Sequence, residues 1–230
     1  MSLLQIDENI WCLDGDSVTM FTIPFQTRMT IIRQKNGDLW LHSTVAIDEG
    51  RINAVKKLGR VSHIIAPNSL HHLFVKDWFN HFPDSKIWVA PGLPKKLPNL
   101  EFYGILREKP ESFWEDEIDQ IYFEGSNILT EMIFFHKKSK TLIVTDLIQN
   151  HDPSKNNWFW KMVKGLNGVL APNGGVPKDL RLCIRNKKLA TESFKKICEW
   201  DFQRIIISHG ICINNNAREF FINSFDWLDK

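Results

Sequence analysis

Short apolar runs bounded by turn-forming clusters dominate the chain, and a helical period replaces them in only a few places. Residues 9–14 read as a first strand closed by Gly15. Residues 29–33 and 39–43 flank Lys35-Asn36-Gly37-Asp38, whose Asn-Gly pair supplies the positive-φ residues of a tight hairpin, so an antiparallel meander opens the chain. Asp48 is placed to cap a helix over 49–58, where Ile52, Val55 and Leu58 share a face and Gly59 ends it. Residues 61–66 form a strand stopped by Pro67, which has no N–H to give a ladder. Another strand, 86–90, stops at Pro91-Gly92, and four prolines between 91 and 110 predict a mobile surface excursion. Residues 118–123, 129–135 and 141–147 are a second meander with a turn at 137–140. Helices follow at 158–166 and 189–200 around a loop at 171–177, then a strand at 204–208 and an amphipathic helix over 216–228. Two antiparallel-rich sheets with helices to cover their outer faces fit an α/β chain folded as a four-layer αββα sandwich.

Four of the apolar runs finish in chemistry. Residues 38–42 end in His42, 141–146 in Asp146 and 204–210 in Ser-His209-Gly, while the strand before Pro67 delivers Asn68, His71 and His72 in a loop, where neighbouring side chains can converge. In layered α/β proteins ligands bind beyond the carboxyl ends of strands, where loops diverge and open a crevice. These four ends are therefore expected to line one cleft.

Composition narrows the partners. The chain has 230 residues and no Pro/Gly/Ser-rich linker, which favours one domain over 1–230. Its 29 Lys and Arg against 27 Asp and Glu are dispersed, so no electrostatic footprint for nucleic acid exists. No apolar run is long enough to span a bilayer and the N-terminus lacks the pattern of a signal peptide, so a cytoplasmic protein without membrane contact is expected. Cys12, Cys183, Cys198 and Cys212 form no C-x-x-C pair and are expected to stay free, buried and without metal or redox work. Most of the nine tryptophans are expected to fill core.

The order of elements and the strand-end residues resemble the metallo-β-lactamase superfamily, whose αββα members hold metals between the edges of two sheets. The likeness spans nearly the whole chain. Its first motif, His-x-His-x-Asp-His after a strand, stands here as Asn68-Ser69-Leu70-His71-His72; Asp146 in Leu-Ile-Val-Thr-Asp matches the bridging Asp, and His209 in Ile-Ile-Ser-His-Gly the final His. His72 matches the motif's last His and His71 falls where its Asp stands. The two leading histidines have no match, and the middle His expected near 127–131 is absent, with Asn127 and Glu131 the polar candidates. The resemblance implies a divergent branch with a degenerate metal motif. It implies His71, His72, Asp146 and His209 as metal ligands, with Asp146 also the catalytic group that orients water.

Elsewhere the bland readings lead. His42 is expected beside the site or as a structural residue rather than as a ligand, His136 as a surface or hairpin residue, Glu131 as a strand-edge carboxylate facing solvent, and His63, His81 and His151 as structural. Two functions remain open. One is a metal-dependent hydrolase of an unknown small-molecule substrate, holding at most one Zn, Fe or Mn ion. The other is a non-catalytic descendant of the fold, with or without an ion, binding a small molecule or a protein partner. Neutral Asn68 and apolar Leu70, standing where a second ion needs ligands, argue against two metals.

Overall fold

The computed structural model describes residues 3–20 and 22–228. The first half contributes β1 (Leu3–Asp7), β2 (Ile10–Asp14), β3 (Val18–Met20), β4 (Ile23–Phe25), β5 (Arg28–Arg33), β6 (Asp38–His42), α1 (Glu49–Lys56), β7 (Arg60–Ala66), α2 (Val75–His81), β8 (Lys86–Val89), α3 (Leu93–Lys96) and β9 (Gly104–Ile105). The second contributes β10 (Ile118–Phe123), β11 (Glu131–His136), β12 (Thr141–Val144), α4 (Trp158–Leu166), α5 (Lys178–Cys183), α6 (Lys187–Cys198), β13 (Arg204–Ile207) and α7 (Ala217–Ser224).

One sheet has seven strands in the order β1-β2-β5-β6-β7-β8-β9; the other has four, β10-β11-β12-β13; β3 and β4 form a separate hairpin. Each sheet begins antiparallel and finishes parallel. The switch lies at β6–β7 in the large sheet and at β12–β13 in the small one. The parallel strands need crossovers, which is where helices enter: α1 joins β6 to β7, and α4 to α6 lie between β12 and β13.

Side chains alternate between two buried faces, giving three apolar layers. Ile10, Ile32, Trp40, Ile65, Phe134, Ile143 and Ile206 fill the space between the sheets. Leu39, Leu41, Val55, Val61, Ile64 and Trp78 pack the large sheet against α1 and α2, and Ile133, Val144, Ile197, Ile205 and Phe221 pack the small sheet against α6 and α7. This is the four-layer αββα sandwich. Because both faces of both sheets are covered, the central strands read as continuous apolar runs rather than alternating ones.

The departures from expectation are local. Between β5 and β6 the Gln34 N–H bonds the Asp38 carbonyl at 2.8 Å and closes a loop of three residues, 35–37, in which Gly37 has φ +87° but Asn36 does not share it. A turn followed by one left-handed glycine does what the Asn-Gly pair was expected to do with two. β1, the β3–β4 hairpin and α5 lie where no element was expected. Trp40, Trp78 and Trp114 are fully buried, whereas Trp158 on α4 is 74% exposed.

Candidate metal centre

The parallel strands end on one side, and the residues after them meet. His71 follows β7, Asp146 follows β12 and His209 follows β13. His71 Nε2 lies 3.1 Å from Asp146 Oδ2, His209 Nε2 lies 3.1 Å from Asp146 Oδ1, and the two imidazole Nε2 atoms are 3.2 Å apart. They are the one group among the described residues with the donors to hold a metal ion.

The far side of each ligand is fixed. His209 Nδ1 is 2.6 Å from the Gln26 carbonyl oxygen, which can only accept, so that nitrogen carries a hydrogen and Nε2 is the ring atom turned to Asp146. His71 Nδ1 is 2.5 Å from the Ser43 hydroxyl, and Ser43 itself adopts φ +58°, a left-handed conformation uncommon outside glycine, at the end of β6. Gly210 permits the turn after His209: its φ is +118°, and a Cβ there would stand 2.0 Å from the Asn150 carbonyl oxygen.

Asp146 is placed by two buried polar residues. Glu131 Oε1 accepts the Thr145 N–H at 2.6 Å, and Oε2 accepts those of Asp146 and Leu147 at 2.7 and 2.9 Å. One carboxylate thus holds the turn that presents Asp146. This corrects the expectation that Glu131 faces solvent: β11 lies between β10 and β12, and Glu131 is 1% exposed. Asn68, fully buried, accepts the N–H groups of Leu70 and His71 with Oδ1 and donates from Nδ2 to Asp146 Oδ2 at 2.7 Å and Thr145 Oγ1 at 2.9 Å. The two backbone donors orient the amide, so Asn68 turns N–H towards the carboxylate.

Charge follows geometry. Burial works against ionised Asp146, but the His71 imidazole and hydrogen bonds from His209 and His71 outweigh it and hold the carboxyl well below its ordinary value. Burial also disfavours a charged His71, and the Asp146 carboxylate more than compensates, raising the imidazole's pKa. Burial pushes Glu131 up, and the nearby Asp146 charge adds to it against the opposing N–H bonds.

His72 stands apart from this trio. It lines the same pocket, half-buried, with its pKa lowered by burial and by Lys96. Adjacent loop residues diverge here: His71, which falls where the motif's Asp stands, joins the trio, and His72, which matches the motif's last His, is not part of it. His42 is fully buried, its ring stacked on Trp40 at 5.5 Å, and burial followed by the His71 charge lowers it to about 3. His136 is buried and hydrogen-bonded to Ser139 at 2.7 Å, not a surface residue. His151, expected without neighbours of note, has its ring 6.4 Å from that of His209 and its Nδ1 3.4 Å from Lys164 Nζ. Gln26, Ser43 and Thr145 carried no signal in the sequence, because each acts from a loop brought near only by folding. Glu131 did carry one: a carboxylate inside an apolar strand.

The trio forms the floor of a cavity of about 200 Å³. Val18, Met20 and Phe25 of the β3–β4 hairpin make one wall, and Leu70, Leu73 and Phe74 of the loop after β7 make another. Lys96 stands at its edge, its Nζ 2.7 Å from the Ser69 carbonyl.

Solved structures of metallo-β-lactamases from Pontibacter korlensis (8% identity, TM-score 0.68, covering 100% of this chain and 99% of that one), Erythrobacter litoralis (12%, 0.68, 99% and 95%) and Hirschia baltica (14%, 0.66, 97% and 95%) are similar to this chain. The fold is therefore that of the metallo-β-lactamases. A family model described as a domain of unknown function, DUF4336, matches residues 7–158, a stretch that includes His71 and Asp146 and stops short of His209. Comparison with curated proteins finds no match. No helix among the described residues is long and apolar enough to cross a membrane.

Proposed function

Because this chain belongs to the DUF4336 family and carries the metallo-β-lactamase fold, we propose that His71, Asp146 and His209 hold one divalent metal ion and that the protein is a metal-dependent hydrolase. The observation that carries this reading is the convergence of three donors at the floor of an apolar pocket. Donor atoms about 2.1 Å from one ion at tetrahedral angles stand about 3.4 Å from one another, close to the 3.1, 3.1 and 3.2 Å found. Three protein ligands leave a fourth position open, the arrangement of catalytic rather than structural ions. One similar solved structure, FIM-1 from Pseudomonas aeruginosa, is described as a mono-zinc form.

A bound Zn, Fe or Mn ion supplies Lewis acidity, activating water and polarising the substrate's reacting oxygen. The chain does the rest. Asp146, kept ionised, accepts a hydrogen bond from the attacking water and orients it. Gln26 and Ser43 fix the two imidazoles, and Glu131 fixes the turn that carries Asp146. The walls of Val18, Met20, Phe25, Leu70 and Phe74 exclude water and select an ester, thioester, amide or phosphoester with an apolar portion. His72 is a wall residue in this reading, and residues 1–230 act as one domain, since both sheets supply ligands.

Asn68 favours the single ion, because its N–H occupies the side of Asp146 on which a second cation would need an acceptor. The same feature supports the second reading, a ligand-binding descendant without turnover. Metal analysis of protein stripped with chelator and reloaded separately with Zn, Mn or Fe tests the proposal. One equivalent surviving dialysis, lost in His209→Ala and accompanied by ester or phosphoester hydrolysis, is expected. One equivalent without turnover across such substrates moves the reading to binding. No retained metal, or two equivalents, overturns the site.

A further inference from the structure

A second chemical site lies behind the strand end that delivers His209. Arg28, the first residue of β5, is mostly buried: its Nε bonds Asp14 at 2.7 Å, and its Nη1 donates to the carbonyls of Ile207 and Gly210 at 2.7 and 2.6 Å and to Cys212 Sγ at 3.1 Å. The Cys212 sulfur also accepts from the thiol of Cys12 on β2. Both cysteines belong to the apolar layer between the sheets, yet both also line a cavity of about 230 Å³ that carries Arg28, Asp14 and Lys155 on its walls. Two free thiols, one on β2 and one in the loop after β13, thus line one cavity beside a guanidinium, within reach of a small molecule.

We infer that Cys12 and Cys212 are a peroxide-reactive dithiol, Cys212 attacking and Cys12 resolving. A sulfur that accepts an S–H and a guanidinium N–H at once is held as thiolate, the nucleophilic form. The hydrogen bond from Cys12 and the charge of Arg28 pull Cys212 down to about 6, against its burial and Asp14, while Cys12 is raised in turn. In the first step the Cys212 thiolate attacks one oxygen of hydrogen peroxide; the S–O bond forms, the O–O bond breaks and hydroxide leaves. In the second, Cys12 attacks the Cys212 sulfenic sulfur, the S–S bond forms, and the hydroxyl departs as water with the Cys12 proton. The two sulfurs lose two electrons together and the peroxide gains them. The disulfide ties β2 of the large sheet to the loop after β13 and removes from Arg28 the anion it holds beside the Ile207 and Gly210 carbonyls, which flank His209.

This reading stands whether or not the trio binds metal. The test uses the full chain, reduced and treated with chelator, exposed to hydrogen peroxide and mapped by mass spectrometry without reductant. The expected result is loss of two hydrogens, one peptide pair joined through Cys12 and Cys212, and Cys183 and Cys198 still open to alkylation. Cys12→Ser is expected to stop at a sulfenic acid on Cys212, trapped by a 1,3-dione. In the wild-type chain, alkylation of Cys212 should reach half its maximal rate near pH 6 rather than near the ordinary thiol value of 9.0. A Cys212 that alkylates only above pH 8, or peroxide that oxidises Cys183 or Cys198 while leaving Cys12 and Cys212 as thiols, overturns the inference.

Discussion

Acid should unfold this protein by placing protons on four imidazoles that the fold keeps neutral. Burial is the leading cause in each: it lowers His42 and His151 to about 3, and His63 and His136 to about 4. None is more than 5% exposed. In the unfolded chain the same groups titrate near about 6.5. Folded values below unfolded ones mean that the unfolded chain binds more protons between about pH 6.5 and 4, so stability is complete above that window and lost as pH falls through it. At pH 5 each imidazole then costs about 2 kcal/mol, and the four together about 8 kcal/mol. That rivals the whole stability of about 5–15 kcal/mol typical of a domain. His71 has the opposite sign: its raised pKa contributes stability that is present at low pH and lost as pH rises, which opposes the effect of the four. Asp146, held low, loses its contribution only at pH values below its ordinary 3.8, outside the window. Urea unfolding in chelator at half-unit steps from pH 8 to 4.5 reads the slope, expected to approach three to four protons, or about 4–5 kcal/mol per pH unit. His42→Leu should reduce it by about one proton. A stability that stays flat down to pH 5 would refute the assignment of these histidines as buried and neutral.

Other perturbations address the candidate centre. Glu131→Gln replaces one oxygen that accepts backbone N–H groups with an amide that cannot, and should cost about 2–4 kcal/mol in chemical denaturation while weakening metal retention. Gly210→Ala should cost at least about 2 kcal/mol through its left-handed φ and its contact with Asn150, and an unchanged melting temperature would contradict the tight packing of that turn. His72→Ala should leave metal stoichiometry intact while His71→Ala abolishes it, measured by dialysis and elemental analysis; the reverse outcome would return the ligand role to His72. Because metal must displace a proton from His71, metal uptake at neutral pH should release protons, visible in calorimetry as a dependence of the heat on the buffer's ionisation enthalpy.

The sequence by itself determined the layers of this protein. Runs such as 61–66, 141–144 and 204–207 are largely apolar on both faces, as covered parallel strands require, and each is followed within two residues by a polar residue of the centre or its loop. Asp146 and His209 could be read as neighbours because a strand points its end residues at a common edge. The helix at 49–56 was legible from Asp48, whose side chain accepts the Arg51 N–H. What only the tertiary structure decided is which of two adjacent histidines turns inward, and what stands behind each ligand. His71 is chosen by Ser43 and Asp146, which lie 28 and 75 positions away in the chain. Glu131 could pass for a solvent-facing carboxylate until β12 and its turn offered three N–H groups. Cys12 and Cys212, 200 residues apart with no motif between them, share a cavity because the loop after β13 packs against the apolar layer that β2 helps to fill. Local patterns encode which face of an element is buried, since that depends on periods of two and 3.6; they carry no record of which loop from the opposite sheet fills the space beside it.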